Sequence, residues 1–568
     1  METCKQCSLE FEITDSDQQF YKKVDVPEPN FCPDCRQQRR LAWRNERTLY
    51  RRKCDGMGKE IISVYSPDKP FPVYDSDYWH SDAWNPLTYG RDFDFDRPFF
   101  EQFEELMHKV PQIARSTVAN ENCNFVNQCG WCKDCYLIFE ADHNRSCIHS
   151  NNIFDSRDSM DILRGIKNEL CYECIDCNNC YNLKFSQDCN NCSDSWFLKN
   201  CIGCNNCFGS VNLRKKQYYF FNQKCSKEEY EEKVENVSKK SITDIEKIKK
   251  EFKEIIKKFP QKYIHGIQNE DSIGDHLHHT QRCLECFDVN NAQDCKWVFD
   301  SRNTKMVYDM TVFGGKGSAN EFCCDNHEIG GGVRNVFYSD QVWESCHDIY
   351  YSKLVGKNSH HMFGCIGFKH AEYCILNKQY KREEYEELVP KIIEHMKKTD
   401  EWGEFFPAKI SPYGYNETIA PIYYPLNKEE ALEKGFNWSD YESPPLDVKK
   451  TIPADRLPDN IKEIPDDILS WAITCEVSGK PFKLVPLELK FYREHNLPIP
   501  HKHPDVRHVE RMKSRNPRKL HHRRCMNKEA PHDNKDSSGH CLNEFETTYS
   551  PERPEIVFCE QCYLEALD

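Results

Sequence analysis

A chain of 568 residues and 67.2 kDa is too long for one hydrophobic core, so several domains are expected. Lys and Arg number 77 against 92 Asp and Glu, a net charge of −15, which excludes a general polyanion binder and leaves any nucleic-acid affinity to local patches. No run of eighteen apolar residues occurs, and METCKQCSLEFEITDSDQQF has no basic segment leading into an apolar one, so a cytoplasmic protein without a membrane span is expected. In that compartment the 33 cysteines read as metal ligands or buried thiols rather than disulfides.

Residues 1–80 read as a zinc-ribbon-like module. Cys4 and Cys7 form one C-x-x-C turn, and Cys32 and Cys35 form a second. Four thiolates in two such turns suit a tetrahedral structural zinc and leave no open position for catalysis. Arg36, Arg40, Arg44, Arg47 and Arg51 follow at steps of 4, 4, 3 and 4, which predicts one stripe of an α-helix, with Leu41 and Leu49 on the opposite side for docking. An outward guanidinium stripe suits phosphates, RNA before DNA. The alternative is that the arginines are internal, paired with acidic faces elsewhere in the chain.

Residues 81–119 read as a connector. Phe99, Phe100, Phe103 and Leu106 have helical spacing and predict a docking helix, while Asp92, Asp94 and Asp96 alternating with Phe93 and Phe95 predict a half-exposed strand. From 120 to 225 the chain repeats short phrases ending in Asp-Cys or Asn-Cys at twelve-residue steps: Cys123, Cys135 and Cys147, then Cys177, Cys189 and Cys201. Small residues at the corners with aliphatic or aromatic pairs between them predict a β-solenoid, each twelve-residue unit making about half a coil.

A capping helix is expected over 226–262 and a second, looser solenoid over 263–380. The two arrays close alike, with Asn222 matching Asn377 and Glu228-Glu229-Tyr230 matching Glu383-Glu384-Tyr385. Residues 381–470 read as a second capping helix followed by an extended, Pro- and aromatic-rich connector with a short helix at NKEEALEKGF.

The last segment, 471–568, repeats the first. Residues 475–525 match residues 4–54 without a gap at sixteen of fifty-one positions, which implies a duplicated module. Only Cys475 survives of the first ligand set; Ser478, His503 and Val506 stand at the other three places. A different quartet, Cys525, Cys541, Cys559 and Cys562, appears instead, and the first copy keeps only Cys54 of it. The expectation is an ancestral module with two zinc sites, each copy retaining one, so about two zinc ions per chain. The stripe persists as Arg507, Arg511, Arg515 and Arg518, with His522 fifth.

Cys171, Cys174, Cys177 and Cys180 are spaced close to an iron–sulfur motif but lack its last interval and its proline, and a stacked solenoid explains thiols there without metal. They remain weaker metal candidates beside the two terminal quartets. His276, His278, His279, His360 and His361 read as surface histidines, and GGKGSAN at 314–320 lacks the ending and helix of a phosphate loop.

The combination CKQC, FCPDCRQQRR, RNERTLYRRKC, YSPDKPFPVYDSDYW and CYECIDCNNCYNLKFSQDCNNCSDSWFLKNC resembles large cysteine-rich zinc-ribbon proteins of uncultured small-genome bacteria, over nearly the whole chain. The resemblance supports Cys4, Cys7, Cys32 and Cys35 as ligands and offers no catalytic residue. The sequence thus predicts a multi-domain, mainly β protein in which zinc-ribbon or treble-clef modules flank two β-solenoids. The expected role is a non-enzymatic zinc-binding scaffold that binds nucleic acid through the arginine stripes. The rival readings are a protein-interaction scaffold contacting partners through solenoid faces, an iron–sulfur redox protein, and a β-helix hydrolase.

Overall fold

The computed structural model describes residues 1–313 and 318–567, so 314–317 of the GGKGSAN segment lie outside the described residues. From Ala119 to Phe221 every third residue has a left-handed backbone, with φ near +50°. The chain turns a corner at each of these residues, and strands pair in parallel with the chain twelve residues on, as in Asn127↔Phe139, Asn151↔Leu163 and Leu163↔Ile175. Twelve residues therefore make one whole four-sided coil, and the expectation of half a coil per unit is corrected. A left-handed corner costs an ordinary L-residue roughly 1–2 kcal/mol, less for Asn and Asp, which is why the phrases carry those residues.

The residue after each corner points inward. Cys129, Cys132, Cys135, Ile138, Ser150, Ile153, Cys189 and Cys192 are all buried. Four inward side chains must share one narrow level, which favours Cys, Ser and other compact residues. The hydroxyls also work along the stack: Ser159 Oγ donates to Arg157 O and accepts from Cys171 N, one coil on. Cys171, Cys174, Cys177 and Cys180 are the four inward residues of a single coil.

The second solenoid runs in parallel pairs from Gly266–Glu270 to Glu372–Ile375 with coils of uneven length, as in Gly266↔Leu277, Leu284↔Lys296 and Arg334↔His347. Its interior takes larger residues, among them Val298, Val307, Met310, Ile329 and Ile349. Each solenoid ends in an antiparallel hairpin, and Asn222 and Asn377 close them identically, each accepting a backbone N–H at 2.7 Å.

Four helices pack on these bodies. The docking helix α1 (Phe99–Lys109) buries Phe99, Phe103 and Leu106 against Tyr351, Phe363 and Phe406, and its first amides donate to the Glu401 carboxylate at 2.7–2.8 Å. Helices α2 (Lys227–Asn236) and α3 (Ile242–Ile256) bring Tyr230, Ile245, Ile248 and Phe252 onto Phe197 and Phe208, and α4 (Arg382–Lys398) joins the aromatic cluster through Tyr385, Ile392 and Met396. The expected strand at Asp92–Asp96 does not form. Its phenylalanines pack edge-on against His395 instead, and Asp92 pairs with Lys378. No helix among the described residues is long and apolar enough to cross a membrane.

Candidate metal centres and the arginine seam

The two terminal quartets each converge. In the first, a two-stranded hairpin (Glu2–Thr3 with Glu10–Phe11) carries Cys4 and Cys7, while Cys32 and Cys35 begin helix α5 (Pro33–Leu41). All four Sγ atoms lie within 4.8 Å of one another, with Cys7 and Cys32 at 3.7 Å. The Cys32 amide donates to Cys4 Sγ at 3.2 Å, and the helix N-terminus favours negative charge on the second pair. The hydrogen bond from the Cys35 thiol holds Cys32 down to about 5.

In the second quartet Cys525 follows the strand His521–Arg524, and Cys559 and Cys562 begin helix α6 (Glu560–Glu565). These four also lie within 4.8 Å, Cys541 and Cys559 at 3.8 Å. Burial opposes ionisation of Cys559, yet the Asn543 amide at 3.3 Å and the turn N–H groups bring it down to about 6. His532, which the sequence reading passed over, points Nε2 at Cys541 and Cys562 from 3.4 Å each. Its position between Cys525 and Cys541 was the only signal. Both quartets offer the closed four-sulfur set that suits zinc.

The matching positions keep their backbone and lose their ligands. Lys5 N donates to Asn30 O and Ser8 N to Cys4 O at 3.0 Å; Glu476 N donates to His501 O at 3.1 Å and Gly479 N to Cys475 O at 3.0 Å. The Cys559 amide reaches Cys525 Sγ at 3.2 Å, and in the first module the Asp75 amide reaches Cys54 Sγ at 3.3 Å. Cys475 lies in an apolar cluster that includes Ile473, Phe482 and Leu484, the last two matching Phe11 and Ile13 beside the first quartet.

The four thiols Cys171, Cys174, Cys177 and Cys180 do not gather in this way. Among the described residues they are not one of the groups whose ligand atoms all lie within 4.8 Å. Each instead faces backbone carbonyls, as Cys174 Sγ does with Tyr172 O and Leu183 O at 3.4 Å. Burial pushes Cys171 and Cys177 well above the ordinary thiol value.

The arginine stripes are inside the molecule, and the expectation of an outward phosphate-binding face is corrected. Helix α5 ends at Leu41, and Arg51 lies in the strand Tyr50–Lys53, so five arginines do not share one helix. Arg36, Arg40 and Arg44 are 1, 0 and 1 % exposed. Arg36 pairs with Asp309 at 2.9 Å, Arg40 pairs with Asp309 and Asp325, and Arg44 spans Glu140 of the first solenoid and Glu328 of the second. Arg47 reaches Asn151 and Asp505. Only Arg51 of the five is exposed, with its guanidinium over the Phe125 ring.

The other stripe behaves alike. Helix α7 (Pro504–Ser514) lays Arg507 and Arg511 on Asp161 and Glu173 of the first solenoid. Beyond it Arg515 bridges Asp176 and Asp288, and Arg518 bridges Asp288 and Asp300. The partners Asp161, Glu173, Asp176, Asp288 and Asp300 stand at left-handed corners of stacked coils, Asp161 directly below Glu173 and Asp288 below Asp300. A twelve-residue repeat thus turns single Asp and Glu residues into carboxylate columns one strand spacing apart, about 4.8 Å, the reach of a planar guanidinium. The attraction of Asp161 and Glu488 raises Arg507 far above its ordinary value against burial, and keeps it charged.

No curated protein matches the chain. Residues 1–43 match the family model described as "Probable treble clef domain", a segment that holds Cys4, Cys7, Cys32, Cys35 and the first arginines of the seam; the chain carries a treble-clef zinc domain at its N-terminus.

Proposed function

We propose that this protein is a non-enzymatic scaffold in which two zinc-held terminal modules lock a pair of β-solenoids side by side and leave their outer faces for protein partners. The observation that carries the reading is the burial of the arginine stripes: six of the nine arginines are buried, Arg47 and Arg518 nearly so, and all eight pair with carboxylates. Cations consumed in that way cannot also neutralise phosphates, and the surface left behind belongs to a chain of net charge −15. The matched backbone hydrogen bonds of the two modules support their origin as duplicates, each having kept a different thiolate site.

The test is a titration of labelled single-stranded RNA and duplex DNA with the purified full chain at physiological salt. The reading expects no affinity better than the non-specific range, Kd roughly 10⁻⁴–10⁻⁶ M. Sub-micromolar binding whose salt slope falls when Arg51 is replaced would overturn it in favour of a nucleic-acid protein.

A further inference from the structure

Between the two solenoids and helix α6 lies a cavity of about 1100 Å³. On its wall four side chains from both bodies converge, Asp176 and Asp188 from the first solenoid and His265 and His276 from the start of the second, with Asp275 buried behind them. Asp176, Asp188 and His276 have ligand atoms mutually within 4.8 Å, as do His265, Asp275 and His276. The fold prepares this meeting. Asp176 and Asp188 are successive corners of one column, His276 is a corner residue, and the first coil of the second solenoid, Gly266↔Leu277, stacks the two imidazoles at 4.7 Å.

The hydrogen bonds fix which nitrogens are available. His265 Nδ1 sits 3.0 and 3.2 Å from the two Asp275 oxygens, so it carries the proton, and the Tyr549 hydroxyl lies 3.5 Å from Nε2. Asp275 is held in turn by Thr548 Oγ1 at 2.6 Å. His265 Nε2 then faces Asp188 at 3.8 Å, and His276 Nδ1 faces Asp176 at 3.9 Å. These gaps are too long for hydrogen bonds. Two donors sharing one tetrahedral ion at about 2.0–2.2 Å stand about 3.3–3.6 Å apart, so a small contraction would place an ion between them. The neighbouring cations are Lys199 on Asp188 and Arg515 on Asp176, while Asp288 is held by Arg164 and Arg518 as well as Arg515.

We propose that His276 Nδ1, Asp176 and Asp188, whose ligand atoms lie mutually within 4.8 Å, form a third metal site, for a first-row divalent ion, with His265 stacked on His276 as its positioning residue. One imidazole and two carboxylates suit such an ion better than calcium or magnesium, and the cavity gives it access to solvent or a polar ligand. It is chemically separate from the four-sulfur quartets.

The experiment uses the full chain with both quartets filled by zinc, exposed to Co²⁺, desalted, and counted by elemental analysis beside its absorption spectrum. About one cobalt per chain without a thiolate charge-transfer band is expected. His276→Ala and, separately, Asp188→Asn should each reduce retained cobalt at least tenfold with unchanged circular dichroism, while His361→Ala, in the half-buried His347–Asp348–His361 group, should leave it in place. No retained cobalt, a strong thiolate band, or loss on His361→Ala alone would overturn the proposal.

Discussion

Replacing Arg515 by Met removes one charge and keeps most of the side-chain volume. In the native seam Arg515 Nε lies 2.8 Å from Asp176, and its terminal nitrogens hold Asp288. Asp288 would retain Arg164 and Arg518, whereas Asp176 would be left with only His276 at 3.9 Å. Removing one partner of a buried pair costs about 3–5 kcal/mol; with Asp288 still compensated, the lower end applies, about 3 kcal/mol. A chain of several bodies does not unfold in one step, so the assay is local: amide hydrogen exchange of Pro504–Ser514 and of the corners it covers. About 3 kcal/mol corresponds to roughly a hundredfold faster exchange there, with the far half of the first solenoid unchanged. Adding Asp176→Asn should restore part of the protection, since it removes the stranded charge. A change within threefold, or equal acceleration by Arg51→Met, would refute the idea that these ion pairs hold the seam.

Cys35→Ser should remove one equivalent of bound zinc and Cys559→Ser the other, whereas Cys475→Ser should leave the metal content unchanged; native mass spectrometry reads all three. At the exposed corner Asn179, with φ +53°, Val should cost about 1–2 kcal/mol and Gly close to nothing, measured by exchange in the neighbouring coils. Inside the coil, Cys174→Ser should be tolerated and colourless, while Cys174→Leu should destabilise by about 1–3 kcal/mol through overpacking. Burial, then Arg47 and Arg511, hold the His508 pKa well below 6.5. As pH falls through about 6.5 the unfolded chain takes up a proton that the folded one refuses, so stability declines by up to about 1.4 kcal/mol per pH unit from this residue. His508→Gln should flatten that decline in the local stability of Pro504–Ser514, read by hydrogen exchange from pH 7 to 5; an unchanged slope would refute it.

Much of this architecture could be read before the fold was seen. The twelve-residue step, the Asp-Cys phrases and the two quartets are properties of spacing, and spacing survives in one dimension. Coil size did not, because only the left-handed corner at every third residue reveals that twelve residues close a full turn. The arginines show a different limit. Their steps of three and four were correctly seen as unusual, but a stripe buried against carboxylate columns and a stripe facing solvent have the same spacing. What decides between them is the position of Asp161, Asp176, Asp288 and Asp309, hundreds of residues away in all four pairings. The meeting of His265, His276, Asp176 and Asp188 was hidden for the same reason, since no local pattern joins residue 176 to residue 276. His532 was passed over because four cysteines already completed a ligand set.

The most direct measurement of the central claim is arginine accessibility, read by mass spectrometry after brief treatment of the native, zinc-loaded chain with phenylglyoxal. The internal seam predicts rapid modification of Arg51 and protection of Arg36, Arg40, Arg44, Arg507, Arg511 and Arg515 until the chain is denatured. Modification of Arg40 and Arg511 as fast as Arg51 would contradict it, and would return the stripes to the surface.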